Sequence, residues 1–259
     1  MTVPAVGVAF EPLRELEHRL AVHARRLERE HDSRCVFTHA YALMTKRIAD
    51  ELPLTPDVDA EWLVALAQAF GTRYIAALEA APDELTPAWK TAFDAMHRSR
   101  TSVVEDLVFA MTVHIVHDLP LALSDVSHGD PPPEAHIYDF HAINAIMAGC
   151  VDLIQKTVAK RYSPYIAWLD KLAEGYDEIL TNYGVRMSRG LAWYNAQRIA
   201  DGRSRADALA AIERSPAIVV TQVIDPPILS LRIALRGARF LVSFFRRWPG
   251  ERTERGLTL

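Results

Sequence analysis

The chain has 259 residues, 50% of them hydrophobic and 24% charged, which is the composition of an ordinary globular protein. Its formal net charge of −4 argues against a protein that binds nucleic acid as a whole. The two cysteines, Cys35 and Cys150, form no CxxC pair, so a disulfide framework is excluded and a reducing compartment is favoured. No charge-free apolar run reaches the roughly 18 residues of a spanning helix and no signal-peptide pattern is found, so we expect a soluble, cytoplasmic protein.

Prolines divide the chain into segments of helix length. Glycine occurs only 11 times, alternating β-branched runs are nearly absent, and the 15 prolines cluster between segments with helical apolar spacing. These features predict an all-α protein, a single multi-helix bundle of about eight or nine helices. We expect a helical domain at 1–225, which carries a central His/Asp site, and a basic amphipathic helix with a tail at 226–259.

Four helices are predicted in the first hundred residues. Apolar periodicity places the first three at 11–31, 33–52 and 59–80. Asp59 is the expected N-cap of the third helix, and Thr86 followed by Pro87 is typical of the start of a fourth. His39 lies on an apolar face of the second helix, where we interpret it as a core histidine or as a residue of the substrate site.

The middle of the chain carries the first half of a polar cluster. Apolar residues at helical spacing predict a helix over 101–119. We expect it to end at Pro120, because proline disfavours the α conformation of the residue before it. His114, His117 and Asp118 would then share one face in its last turns.

The second half of the cluster follows a proline-rich loop. A helix is predicted from Asp139 to Lys160, with Asp139 as its N-cap and with His141 and Asn144 on one face. If this helix packs antiparallel to the one before the loop, the two polar groups converge in one pocket. The side chains that could meet there are His114, His117, Asp118, His136, Asp139, His141 and Asn144.

Such a pocket could do chemistry in two ways. As catalytic residues it offers His114, His117, Asp118, His141 and Asn144. As ligands of a divalent metal it offers His117, Asp118, Asp139 and His141, a set that suits Zn²⁺, Fe²⁺ or Mn²⁺. The alternative is structural, because histidine is favoured at helix C-termini and aspartate is a common capping residue.

The last third of the chain supplies basic and aromatic residues. A turn is predicted at 182–184, a helix at 185–200 and a short helix at 205–215. In the first of these helices Arg186, Arg189 and Trp193 could bind an anionic or planar group of a substrate, or could pair with acidic residues of neighbouring helices. Residues 228–248 form a basic amphipathic helix, which either docks on the body or a partner or makes peripheral contact with a membrane.

Two resemblances follow from these motifs. The runs VFTHAYALMTKRI, VHIVHDLPLAL and YDFHAIN, with the aromatic pattern near Trp193, resemble a bacterial family of unknown function, the one numbered 5995, over about residues 30–200. That resemblance implies an all-helical fold and a polar site at the matched histidines, acids and Asn144, and it supplies no reaction. A weaker resemblance to HD-type metal phosphohydrolases is carried by His39, the His117–Asp118 pair and then Asp139 or Asp152, in that order, and Pro120 departs from the HD pattern.

Three functions remain open at this point, because no HExxH, GxSxG, P-loop or GxGxxG motif is present. The first is an enzyme that acts on a small, largely apolar substrate in a helical-bundle pocket, by hydrolysis, elimination or cyclisation. The second is a metal-dependent phosphohydrolase with Arg186 and Arg189 on the phosphate. The third is a non-enzymatic helical scaffold that binds a partner or a membrane. The sequence makes no prediction of the oligomeric state.

Overall fold

The structure, a computed structural model, describes residues 10–98, 101–162 and 176–225, together with Pro227. These residues form helices and short connections and contain no strand. The helices are α1 (Glu11–Arg29), α2 (Cys35–Glu51), α3 (Ala60–Glu79), α4 (Pro87–Arg98), α5 (Val103–Val113), α6 (Leu119–Val126), α7 (Ile137–Ala148), α8 (Val151–Tyr162), α9 (Tyr176–Ala200) and α10 (Arg205–Ile224). Since α5 and α6 belong to one continuous helix, the described residues hold nine helices, and the predicted all-α bundle is confirmed.

The helices α3 and α4 begin where local capping chemistry predicts. Asp59 Oδ1 accepts a hydrogen bond from the backbone N–H of Trp62 at 3.0 Å, which caps α3. The hydroxyl of Thr86 accepts from the backbone N–H of Trp89 at 3.4 Å at the start of α4. Each cap satisfies a backbone donor that has no partner within its own helix.

The central helix, Val103–Val126, positions the candidate site. It consists of α5, a π-helical turn at His114–Asp118, and α6. Its first part packs on α2, α4 and α10, and its last part packs on α3 and α9. The turn between them contacts α3, α9 and α10 as well, so side chains from distant parts of the chain surround it.

Pro120 does not end this helix, contrary to the sequence prediction. The backbone N–H of Leu119 donates to the carbonyl of His114, five residues earlier, which is the pattern of a π-helix. Pro120 then lies in the first turn of α6, where its fixed φ suits a helix start. The widened turn therefore absorbs the proline and lets the helix continue.

Four further predictions of local structure are wrong. The helix predicted from Asp139 to Lys160 is two helices, α7 and α8, which meet at a bend of 45°. The N-cap position of α7 is His136, so Asp139 lies inside the first turn. The turn predicted at 182–184 is part of α9, and α10 continues through Pro216, which is buried. In the last two cases tertiary packing overrides local breaking signals.

One prediction concerns residues outside the description. The basic amphipathic helix predicted at 228–248 lies beyond the described residues. Within the described part, the central helix is long and apolar enough to cross a membrane, and 61% of its most apolar window is buried in the protein. Buried core helices of soluble proteins pass the same test.

Candidate functional site

The predicted polar residues form two groups instead of one. His114, His117 and Asp118 lie on the central helix and are between 2% and 3% exposed. The remaining group lies on α7 or just before it, and α7 packs on α2. Among the described residues no hydrogen bond or ion pair joins the two groups. What joins these parts of the chain is apolar, since Ile115 and Phe140 belong to one core cluster.

Asp118 is the centre of the first group. Its Oδ2 lies 2.8 Å from Nδ1 of His114, and its Oδ1 lies 2.7 Å from Nδ1 of His117. The indole N–H of Trp89 donates to the same carboxylate at 3.1 and 3.2 Å. His117 Nε2 lies 2.9 Å from Oε1 of Glu213, which comes from α10. We call these five residues the central network.

Burial and hydrogen bonding set the charges in this network. Burial alone would raise the pKa of Asp118, but the hydrogen bonds and charges of the two histidines outweigh it and hold that pKa below its usual range. Burial would lower the pKa of His117, but Asp118 and Glu213 together raise it. Burial does lower the pKa of His114, in spite of Asp118. These shifts favour the cationic form of His117 and the neutral form of His114.

The second ring nitrogen of His114 has no hydrogen-bond partner in the described part of the chain. Its Nδ1–H donates to Asp118, so in the neutral ring Nε2 carries the free lone pair. That atom is buried, and no described residue forms a hydrogen bond with it. Buried nitrogens are rarely left in this state, and such an exception calls for a reason.

An aromatic shell surrounds the His114 ring. Phe70 stacks on it with ring centroids 3.6 Å apart and planes 5° apart. Tyr41 follows at 4.8 Å, and its burial, aided by the charge of Asp118, holds the pKa of its hydroxyl above the usual range. The complete shell is Phe37, Tyr41, Phe70, Tyr74 and Trp89. The unpartnered lone pair thus lies among apolar rings, where few solvent molecules compete for it.

The second group consists of two pairs, His136 with Asp139 and His141 with Asn144. The ring of His136 stacks on Trp62 of α3 with centroids 4.5 Å apart, and its Nδ1 lies 3.1 Å from Oδ2 of Asp139. This contact fixes the start of α7 on the start of α3. One turn further along α7, the side-chain amide of Asn144 lies 3.2 Å from Nδ1 of the exposed His141.

Arginines of α9 lie beside this last pair. Partial burial, followed by the charges of Arg189 and Arg186, lowers the pKa of His141. Arg189 is buried, donates to the backbone carbonyl of Phe140 at 2.7 Å and lies over the Phe140 ring at 4.1 Å. Arg186 is exposed, while Trp193 is buried in the apolar cluster that contains Phe140. Three of the residues predicted to bind substrate thus border α7.

The predicted metal ligands are not arranged as a metal site. In the described part of the chain, no group of three or more His, Cys, Asp or Glu side chains could hold a metal ion. Both ring nitrogens of His117 already face carboxylates, and Asp139 is paired with His136. A metal at His117 would have to displace one of its two acidic partners.

The HD-type resemblance also loses its geometric basis. His39, which would be the first residue of that pattern, lies 3.1 Å through Nδ1 from the hydroxyl of Tyr162. It forms no hydrogen bond with the His117–Asp118 pair among the described residues. The structure thus favours the interpretation of His39 as a packing residue, half-buried between α2 and α8.

Sequence reasoning missed Glu213, Trp89 and Phe70. Glu213 lies 96 positions from His117, and no local pattern can predict a contact over that separation. One signal was available for Trp89, because a buried indole N–H usually needs an acceptor. That requirement points to a buried acid near α4, and the acid is Asp118.

A surface groove of about 520 Å³ lies between α3 and α6. It is lined by Ala65, Gln68, Ala69, Thr72, Arg73, Ala76 and Asp125. These positions occupy a different face of α3 from Phe70, which packs on His114. The groove is therefore separate from the central network.

Comparison with known proteins identifies a family. No curated protein and no solved structure matches the chain. The sequence profile of a family of unknown function, DUF5995, matches residues 13–226, a wider range than the 30–200 expected. Since this match covers most of the 259 residues, the chain belongs to the family of unknown function DUF5995.

Proposed function

We propose that this protein is an enzyme that acts on a small, largely apolar substrate by acid–base chemistry at His114. The observation that carries the proposal is the buried, unpartnered Nε2 of His114. A neutral imidazole in this state can accept a proton from a substrate bound at that nitrogen. The aromatic shell favours an apolar substrate, because its rings offer dispersion contacts and few hydrogen bonds.

Asp118 and its partners support this role. The carboxylate fixes the ring of His114 with Nδ1 protonated, and it stabilises the imidazolium that forms when Nε2 takes a proton. His117 and Trp89 hold the carboxylate in place through three further close contacts. Glu213 balances the positive charge of His117, so Asp118 stays available to His114.

The residues around His114 favour proton transfer over covalent catalysis. In the described part of the chain no serine, threonine or cysteine side chain forms a hydrogen bond with His114, so no activated nucleophile accompanies it. Elimination or cyclisation, in which a base removes a proton, fits this arrangement better than hydrolysis through an acyl-enzyme.

The test is proton exchange on small apolar ketones in D₂O, followed by NMR. The wild-type protein should replace the α-protons of at least one ketone of a panel with deuterium. The variant His114→Gln should lose this exchange by about 10²-fold or more, as expected when a general base is removed. His18→Gln, which changes an exposed histidine of α1, is the matched control and should keep it. Exchange that persists in His114→Gln would reject the proposal.

A second measurement checks the starting state directly. Nitrogen-15 spectra of the histidine rings should show Nε2 of His114 without a proton near neutral pH, because its pKa is lowered. A protonated Nε2 would remove the base on which the proposal rests.

A helical scaffold remains the alternative function, and the tight aromatic packing of His114 favours it. If the protein is a scaffold, the variant His114→Gln should be less stable than the wild type, and no ketone of the panel should exchange its α-protons for deuterium.

The two further hypotheses need other measurements. A metal-dependent hydrolase requires stoichiometric Zn, Fe or Mn by elemental analysis of untagged protein. Peripheral membrane contact through 228–248 requires salt-sensitive binding to anionic vesicles that is lost on truncation after Pro226.

A further inference from the structure

We infer that Arg189, together with Arg186 and Asn144, forms a binding site for the carboxylate of a small organic acid between α7 and α9. The site lies apart from the central network and rests on separate observations, so it does not depend on the proposed function. Its basis is a buried cation that no acid of the described chain neutralises.

Arg189 is only 5% exposed, yet its partners are neutral. Its guanidinium donates to the backbone carbonyl of Phe140 at 2.7 Å and lies over the ring of the same residue. Its Nε–H is buried and has no hydrogen-bond partner within residues 10–98, 101–162 and 176–225. No described carboxylate forms an ion pair with it, and burial lowers its pKa to about 10 without an opposing acid. An uncompensated buried charge is strongly unfavourable, so an anion from outside would complete the site.

Asn144 supplies a second unsatisfied polar atom on α7, one turn after the residue whose carbonyl binds Arg189. It is 8% exposed, and its buried Oδ1 has no hydrogen-bond partner among the described residues. In the regular helix α7, the backbone N–H of Asn144 faces the carbonyl of Phe140, four residues earlier. The same carbonyl accepts the hydrogen bond from Arg189. Rotation of the amide by 180° exchanges its oxygen and nitrogen, so that its N–H₂ takes the unpartnered position and its oxygen accepts from His141 Nδ1–H.

The rim of the site is open and positive. His141 and Arg186 are exposed, and the charges of both arginines contribute to the lowered pKa of His141. The positive field of these side chains at the surface beside α7 and α9 attracts an anion toward the site.

A carboxylate matches this site better than a phosphate. The Nε–H and a neighbouring Nη–H of a guanidinium are parallel donors whose spacing fits the two oxygens of a carboxylate. A single negative charge also balances the single buried cation, while Arg186 remains in solvent. The ligand class is thus a monocarboxylate.

The test is binding of acetate and of benzoate to the full-length protein at constant ionic strength, measured by NMR titration. Phosphate and chloride serve as competing anions. We expect saturable millimolar binding of a carboxylate, with shifts of the Asn144 side-chain amide and of the Arg189 Nε–H. Saturable binding of phosphate without carboxylate binding would overturn the assignment, and so would no saturable binding of any of these anions by the folded protein.

Two variants separate a binding role from a packing role. Arg189→Met keeps the unbranched aliphatic part of the side chain and removes the guanidinium with its charge, so carboxylate affinity should fall about tenfold or more. Its stability should stay equal or rise, because a buried charge is replaced by an apolar group. Arg198→Met is the matched control on the same helix, where the side chain lies over the Tyr194 ring. If Arg189→Met fails to fold, Asn144→Ala replaces it and must weaken binding; unchanged binding in either variant would overturn the site.

Discussion

Replacing Glu213 with glutamine should weaken the fold by an amount that depends on pH. Glu213 Oε1 lies 2.9 Å from Nε2 of the cationic His117, and Oε2 lies 3.3 Å from the backbone N–H of Ala88. Glutamine has nearly the same shape, but it carries no charge and only one acceptor oxygen. The substitution therefore removes one ion pair and one hydrogen bond, and leaves the packing in place.

The two losses have different sizes. A unit charge pair at about 4 Å is worth ~4 kcal/mol at an effective dielectric constant of 20. The Glu213 side chain is 32% exposed, so solvent screening reduces this contribution to about 1–2 kcal/mol. The hydrogen bond to Ala88 adds about 0.5–1 kcal/mol at any pH. The expected total loss in the free energy of unfolding is about 1.5–3 kcal/mol while His117 is charged.

The dependence on pH identifies the ion pair. The pKa of His117 is raised in the folded protein from its ordinary value of 6.5. The stabilisation by Glu213 is then fully present below that ordinary value and is lost as the pH rises through the raised one. The difference between wild type and Glu213→Gln should accordingly be largest near about pH 6 and shrink to the Ala88 contribution at about pH 9.

Urea unfolding at the two pH values measures this difference. The midpoints should move while the slopes stay equal, because the surface exposed on unfolding does not change. Glu15→Gln is the matched control, since Glu15 is exposed on α1 and forms no hydrogen bond or ion pair with any described residue. An equal effect of Glu213→Gln at both pH values would refute the charged state assigned to His117.

Three further substitutions test other parts of the fold by the same unfolding assay. Asp118→Asn should cost about 3–5 kcal/mol, because an amide cannot accept all the buried donors around it and leaves the cationic His117 with the partly exposed Glu213 as its one acidic partner in the described chain; a loss below 1 kcal/mol would contradict the network. Gly71→Ala places a Cβ 2.5 Å from the Leu16 side chain and should cost about 1–2 kcal/mol, whereas in a Leu16→Val background it should become neutral or stabilising. Ser102→Ala breaks the capping box with Glu105 at the start of α5 and should cost about 1 kcal/mol, and no change would show that the cap is not formed.

Local signals in the sequence predicted much of the first half of the fold. The bounds of α1, α2 and α3 agree with apolar periodicity to within two residues. Asp59 caps its helix as expected. These features depend on neighbours within a few positions of the chain, which is the range over which a sequence pattern is informative.

The candidate site was predictable only in part, for the same reason. His114, His117 and Asp118 belong to one helical turn, so their spacing alone indicated that they would meet. The position of α7 depends on its packing against α2, which no local pattern contains. The pairing of His117 with Glu213 likewise depends on how α10 packs on the central helix.

The π-helical turn at His114–Asp118 contains one residue more than a turn of α-helix would contain at the same place. Each residue of an α-helix turns the chain by about 100°, so the extra residue rotates all of α6 by that angle relative to α5. This rotation lets one helix serve two sets of neighbours, α2 and α4 before the turn and α3 and α9 after it. Deletion of a single residue between His114 and Asp118 would restore regular winding and turn the apolar side of α6 away from α3 and α9. The length of this stretch is therefore constrained as strongly as its composition, whereas a residue gained or lost between 127 and 133 leaves the winding of both halves unchanged.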